Sequence, residues 1–216
     1  MTISDIDIKL SRILKKYQDN FSEKVYVDDY DSTDVLMETF GITQELKREN
    51  KQFWGRQLGM CWQLLVVELC KHTCQDFGDA IRFGDDKPCD LVLGKDAIDT
   101  KYRIGSGDSG TLKKIKQYGN LLKKQGYRPI LLFLREDNLP VAMTACQRGG
   151  WCVHEGKATF DYLKEKTDFD LCEWLSFHRD KKTQTVNDII FCHGFHGFSR
   201  IICIGNKTFF LTNQFV

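Results

Sequence analysis

Apolar residues recur at spacings of three and four from Ser4 to Tyr17, at Ile6, Leu10, Ile13, Leu14 and Tyr17. That period predicts an amphipathic helix opened by a Ser4 cap. A second helical stretch is expected over Ser32 to Phe40, and a very polar one over Thr43 to Phe53. The strongest pattern runs from Gly55 to Cys74, where Leu58, Cys61, Trp62, Leu65 and Leu69 are accompanied by apolar neighbours on nearly every side. A helix apolar all round belongs in a core. Trp54 and Trp62 read as core residues of this helix. Gln63, polar in an apolar stretch, reads as a residue that touches a ligand or braces a site.

Short strand patterns follow at Ala80 to Phe83, Leu91 to Leu93 and Ala97 to Tyr102, separated by the turns Asp85-Asp86 and Gly94-Lys95-Asp96. A loop of small residues from Gly105 to Gly110 leads into a helix with Leu112, Ile115, Gly119 and Leu122 on one face, stopped near Gly126. Pro129 to Leu134 is apolar throughout, the pattern of a strand buried on both faces. One or two short helices are expected over Lys157 to Phe177, and a hairpin over Ile201 to Leu211 around Gly205-Asn206. The fold class that emerges is α/β (α+β), a central mixed sheet flanked by helices. Its expected parts are an N-terminal helical region (1–54), a core (55–140) and a C-terminal accessory region packed on the same domain (141–216).

At 216 residues and 42% hydrophobic content the chain is long enough to bury a real core. No apolar run reaches membrane-spanning length, and the opening Met-Thr-Ile-Ser-Asp lacks the layout of a secretory signal. A soluble, cytoplasmic (bacterial) protein with no membrane partner is the expectation. The nine cysteines are odd in number and lie mostly in apolar runs, so reduced, buried thiols are expected. Cys192, His193 and His196, with His178 and Cys203, invite a zinc reading, but irregular spacing and the lack of a Cys-x-x-Cys pair favour ordinary thiols and a histidine loop.

Net charge is only +1, yet its distribution is uneven. Residues 101–128 hold eight basic side chains against one acidic, a net +7. Alone, such a run reads as a solvated helix face. Beside an anion-processing site it reads as a phosphate-binding surface.

The candidate chemistry lies where that segment begins. Asp90 opens an apolar run, and Asp99 stands two residues before Lys101. Alternation along a strand puts Asp99 and Lys101 on one face, with Thr100 on the other. Two carboxylates and a lysine at one spot suit a hard divalent cation beside an activated water. Isolated Asp-x-Lys triplets are common in surface hairpins, so the triplet alone decides nothing. In full, the run is Pro88-Cys89-Asp90, eight residues, then Asp99-Thr100-Lys101.

This resembles the signature of the PD-(D/E)XK nuclease superfamily, and most closely a type II restriction endonuclease of the EcoRV-like branch. The predicted order helix, three strands, helix, strand is also that superfamily's αβββαβ core. The resemblance implies a site-specific endodeoxyribonuclease that hydrolyses duplex DNA with Mg²⁺ at a short, palindromic sequence. It also implies a symmetric homodimer, with a cognate DNA methyltransferase as a separate protein. By that resemblance Asp90 and Asp99 are catalytic and metal-binding, Lys101 is catalytic, and Glu68 is a third carboxylate from the first core helix. Arg103, Ser106, Asp108, Ser109 and Thr111 would contact bases or phosphates, and Lys113, Lys114 and Lys116 the backbone. A flexible connector is the alternative for the loop. The competing functions are a structure-specific repair or junction-resolving nuclease, and a non-catalytic DNA-binding protein of the same fold.

Overall fold

A computed structural model describes residues 3–21, 33–104, 108–179, 200–204 and 207–211. Helix α1 (Ile3–Phe21) buries Ile6, Leu10, Leu14 and Tyr17 in one stripe and lies against α4. Its first residue is Ile3, so Ser4 sits inside the helix and is not its cap. The Asp34 side chain caps α2 (Val35–Phe40), accepting from the N–H groups of Leu36 and Met37.

The polar stretch expected as one helix over Thr43 to Phe53 is divided at Asn50. Helix α3 (Gln44–Glu49) ends there, and α4 (Lys51–Thr73) begins with the Asn50 carboxamide accepting from the Phe53 N–H at 2.9 Å. An Asn side chain that satisfies an orphan helix N–H favours a fresh start over continuation. Helix α4 is the core element anticipated: Trp54, Leu58, Cys61, Trp62, Leu65, Val66 and Leu69 are fully buried.

The five-stranded sheet has the order β1 (Phe77–Asp79), β2 (Leu91–Leu93), β3 (Asp96–Lys101), β4 (Arg128–Phe133), β5 (Cys152–Glu155). Strand β2 is antiparallel to both β1 and β3, and β3, β4 and β5 are parallel. The first strand lies earlier than the expected Ala80 to Phe83. Its register, Phe77 opposite Leu93 and Asp79 opposite Leu91, leaves 80–86 as a loop closed by a bridge between Phe83 and Asp86.

Helices α5 (Ser109–Lys124) and α6 (Pro140–Gly149) make the two crossovers that parallel neighbours require. Side chains alternate between two cores. Leu91, Ile98, Ile130 and Leu132 pack with α1, α4 and α7 (Lys157–Thr167), while Val92, Ala97, Leu131 and Phe133 pack with α5 and α6. A helix at 171–179 (α8) adds Leu171, Trp174 and Leu175 to the first core. The hairpin anticipated in the last residues forms as β6 (Arg200–Ile204) paired antiparallel with β7 (Lys207–Leu211).

Helices α5 and α6 meet at glycine. A Cβ on Gly119 would stand 2.4 Å from the Gly149 carbonyl oxygen and 2.6 Å from the Trp151 indole nitrogen. That indole donates to the Ile115 carbonyl at 2.8 Å. Only a residue without a side chain permits this backbone contact.

Candidate active site

The antiparallel pairing of β2 with β3 stops where β2 begins, but β3 runs on beside β4. The Asp90 N–H makes the last bridge, donating to the Ile98 carbonyl at 2.7 Å. Beyond it the Thr100 N–H has no strand opposite, and the Asp90 side chain takes that place. Asp90 Oδ2 accepts from the Thr100 N–H at 2.9 Å and from the Thr100 hydroxyl at 2.8 Å. Asp90 Oδ1 accepts from the Gln63 amide of α4 at 2.5 Å and from the Lys87 ammonium at 3.2 Å. One carboxylate therefore joins three elements at the point where the sheet opens.

Asp99 and Lys101 share a face as the alternation of β3 requires, and Lys101 Nζ lies 2.6 Å from Asp99 Oδ2. The Asp99 side chain is 14% exposed and that of Asp90 10%. Burial pushes the Asp99 carboxyl up to about 6 against the pull of Lys101, and the Asp90 charge and a hydrogen bond with Asp90 push the same way. For Asp90, burial is outweighed by the Lys101 charge and the Thr100 hydrogen bonds, so its carboxyl falls below the ordinary value. Burial opposes the Lys101 ammonium, but Asp99 and Asp90 together raise it above the ordinary lysine value. The cluster sets two carboxylates side by side, with the Lys101 ammonium between them and the Lys87 ammonium reaching Asp90 from the loop. Beside it on α6, burial and the Asp99 charge push the Cys146 thiol up to about 11.

The structure does not bring Glu68 to this cluster. Glu68 lies 2.6 Å from His72 and 3.6 Å from Lys9, on the side of α4 that faces α1. Five residues along a helix is a rotation of about 140°, so Glu68 faces away when Gln63 reaches Asp90. Gln63 is the α4 residue at the site. Thr100 and Lys87 are two further members that the motif did not indicate.

Of the loop and helix residues, Arg103 is turned inward, its Nε 3.0 Å from the Asp137 carboxylate. Asp108 caps α5, accepting from the Thr111 N–H at 2.9 Å. Ser106 lies outside the described residues. Ser109, Thr111, Lys113, Lys114 and Lys116 are exposed on the first half of α5. Lys114 lies 3.9 Å from Asp86, which also accepts from the Tyr118 hydroxyl.

Among the described residues no group of three His, Cys, Asp or Glu side chains is arranged to hold a metal. Cys192, His193 and His196 fall outside them, and the His178 ring is engaged with the Trp174 carbonyl at 2.8 Å. The cysteines described are all free, and Cys61, Cys70, Cys89 and Cys146 are buried. No described helix is long and apolar enough to cross a membrane. A cavity of ≈ 750 Å³ opens between α7 and α8, lined by Asp34, Phe160, Lys164 and Cys172 among others. It contains none of the carboxylate cluster, so volume and chemistry point to different places. The cluster is the stronger candidate, because it sets one buried carboxylate against another that raises it, whereas in the cavity Asp170 is paired with Lys164 at 2.8 Å and Asp34 with Arg135 at 3.0 Å.

No protein family, curated protein or solved structure matches the chain.

Proposed function

We propose that the chain is a Mg²⁺-dependent endodeoxyribonuclease of the PD-(D/E)XK type, a restriction endonuclease that cuts duplex DNA at a short specific sequence. The observation that carries this reading is the convergence of Asp90, Asp99 and Lys101 at the open end of β3, with two buried carboxylates side by side. Mg²⁺ is held by one or two carboxylates with water completing its shell, so two aspartates without a third ligand fit it. The raised Asp99 carboxyl supports the same assignment, since a bound cation offsets the repulsion between Asp99 and Asp90. The ion, when bound, offsets charge on the scissile phosphate and lowers the pKa of water.

The protein's own groups do the rest. Thr100 and Gln63 fix the Asp90 carboxylate, and Asp99 holds Lys101 in place. The Lys101 ammonium donates to the attacking water or a phosphate oxygen and balances charge that develops there. The exposed lysines of α5, Lys113, Lys114 and Lys116, offer cations to the DNA backbone next to the site. A homodimer with one site on each strand matches a palindromic target.

Incubation of the purified chain with phage DNA and Mg²⁺, followed by mapping of the ends, tests the proposal. Discrete fragments with fixed ends are expected, and EDTA should abolish them. A preference for branched DNA points to a junction-resolving enzyme instead. Binding without cleavage, or cleavage retained by both Asp99→Ala and Lys101→Ala, overturns the assignment.

A further inference from the structure

An ionised carboxylate offers about four lone-pair positions, and Asp90 receives four donors besides its contact with Asp99. Oδ2 holds the Thr100 N–H and hydroxyl; Oδ1 holds the Gln63 amide and the Lys87 ammonium. A cation can use Asp90 only where one of these donors leaves. Both Thr100 bonds are built into β3, whose other edge is paired with β4. Gln63 comes from the core helix α4, between the buried residues Trp62 and Leu65.

Lys87 differs on every count. Its contact is the longest of the four at 3.2 Å, its side chain is 37% exposed, and it stands on the loop between β1 and β2. A lysine is a strongly hydrated charge on a flexible stem, so it exchanges a carboxylate for water readily.

We propose that Lys87 is a displaceable counter-ion: it covers Asp90 Oδ1 in the cation-free protein, leaves when a divalent cation binds, and then contacts a DNA phosphate. The inference rests on the reading of Asp90 and Asp99 as a cation site. Lys87 is thus a positioning residue, distinct from Lys101. Lys101 is bound to Asp99 within the same strand, whereas Lys87 belongs to a loop and can swing with it.

The test is calorimetric titration of the full chain with Mn²⁺ in the absence of DNA. Lys87→Met, which keeps the stem and removes the charge, is expected to bind Mn²⁺ about two- to fivefold more tightly than wild type, the range an exposed ion pair supports. Lys87→Arg keeps the charge and should stay at the wild-type affinity. With Ca²⁺ in place of Mg²⁺ to prevent turnover, Lys87→Met should bind duplex DNA more weakly. Its salt dependence should be shallower by about one phosphate contact. Should Asp90→Asn lose Mn²⁺ while Lys87→Met binds it no better than wild type, displacement is wrong and the site reading stands. Should Asp90→Asn bind Mn²⁺ as wild type does, the site reading and the inference fall together.

Discussion

Strand β3 carries a carboxylate near each end, and the two are held in opposite ways. At its start, Asp96 receives two hydrogen bonds from Arg128 at 2.6 Å and one from the Tyr162 hydroxyl at 3.0 Å, with Lys166 at 3.7 Å. Burial opposes the Asp96 charge, but the Arg128 and Tyr162 hydrogen bonds and the charges of Arg128 and Lys166 outweigh it and lower the carboxyl. Towards its end, Asp99 has one ammonium shared with a second carboxylate, and burial prevails. Two aspartates three residues apart in one strand thus divide into a structural clamp and a site of stored electrostatic strain. Groups left unfavourably charged mark functional sites more often than clamps do, because a fold gains nothing from them by themselves.

The widest separation between the two ends should appear in cleavage. Lys101→Ala or Asp99→Asn is expected to lower Mg²⁺-dependent cleavage by about 10³-fold, whereas Asp96→Asn should leave it within about threefold. Equal losses at both ends would erase the distinction. Plasmid cleavage under single-turnover conditions measures it.

Stability should separate them with opposite signs. Asp96→Asn weakens a clamp whose carboxylate is buried but whose Arg128 arm is 58% exposed, and is expected to cost about 1 kcal/mol at neutral pH by urea denaturation. Asp99→Asn, in EDTA, removes a poorly compensated charge and should stabilise the fold by on the order of 1 kcal/mol at pH 7. Loss of stability in Asp99→Asn would mean that this end of the strand is a clamp as well.

The smallest effect is the pH dependence. The folded Asp99 value of about 6 exceeds the unfolded value near 4, so between these values the native state binds more protons. Its contribution to stability is complete below the unfolded value and is lost as pH rises through 6. The advantage of Asp99→Asn over wild type should therefore shrink on acidification from pH 7 to 4. The Asp96 contribution runs the other way. Its depressed carboxyl favours folding above the unfolded value, and that gain is lost only as pH falls through the lower, folded one. Thermal melts of the three proteins across this range, at about 2–4 °C per kcal/mol for a chain of this size, show whether both variants approach wild type on acidification, Asp99→Asn from above and Asp96→Asn from below.

The sequence made α4, β2, β3 and β4 legible because their apolar residues repeat with a clear period or form unbroken runs. Asp99 and Lys101 follow from strand alternation alone. Strand β1 was misplaced because three residues, Phe77, Gly78 and Asp79, carry no periodic pattern; their position is set by pairing with β2. Helix α6 and strand β5 went unread, although Pro140 in the first turn and the left-handed Gly150 after the helix are recognisable start and stop signals. Glu68 misled because its charge stood out in an apolar helix, and its compensation comes from Lys9 and His72. The rotation of about 140° between Gln63 and Glu68 places the amide, and not the carboxylate, at the site.

The backbone contact between Gly119 and Gly149 bears on the site without touching it. Two helices that meet backbone to backbone beside the Trp151 indole cannot be pressed closer, so α5 rests against α6 like a shim of fixed thickness. The seating of α5, which carries Lys113, Lys114 and Lys116, is therefore gauged by a pair of residues that carry no charge. An alanine at 119 would push α5 off α6 and displace those lysines while every charged group in the chain stayed the same.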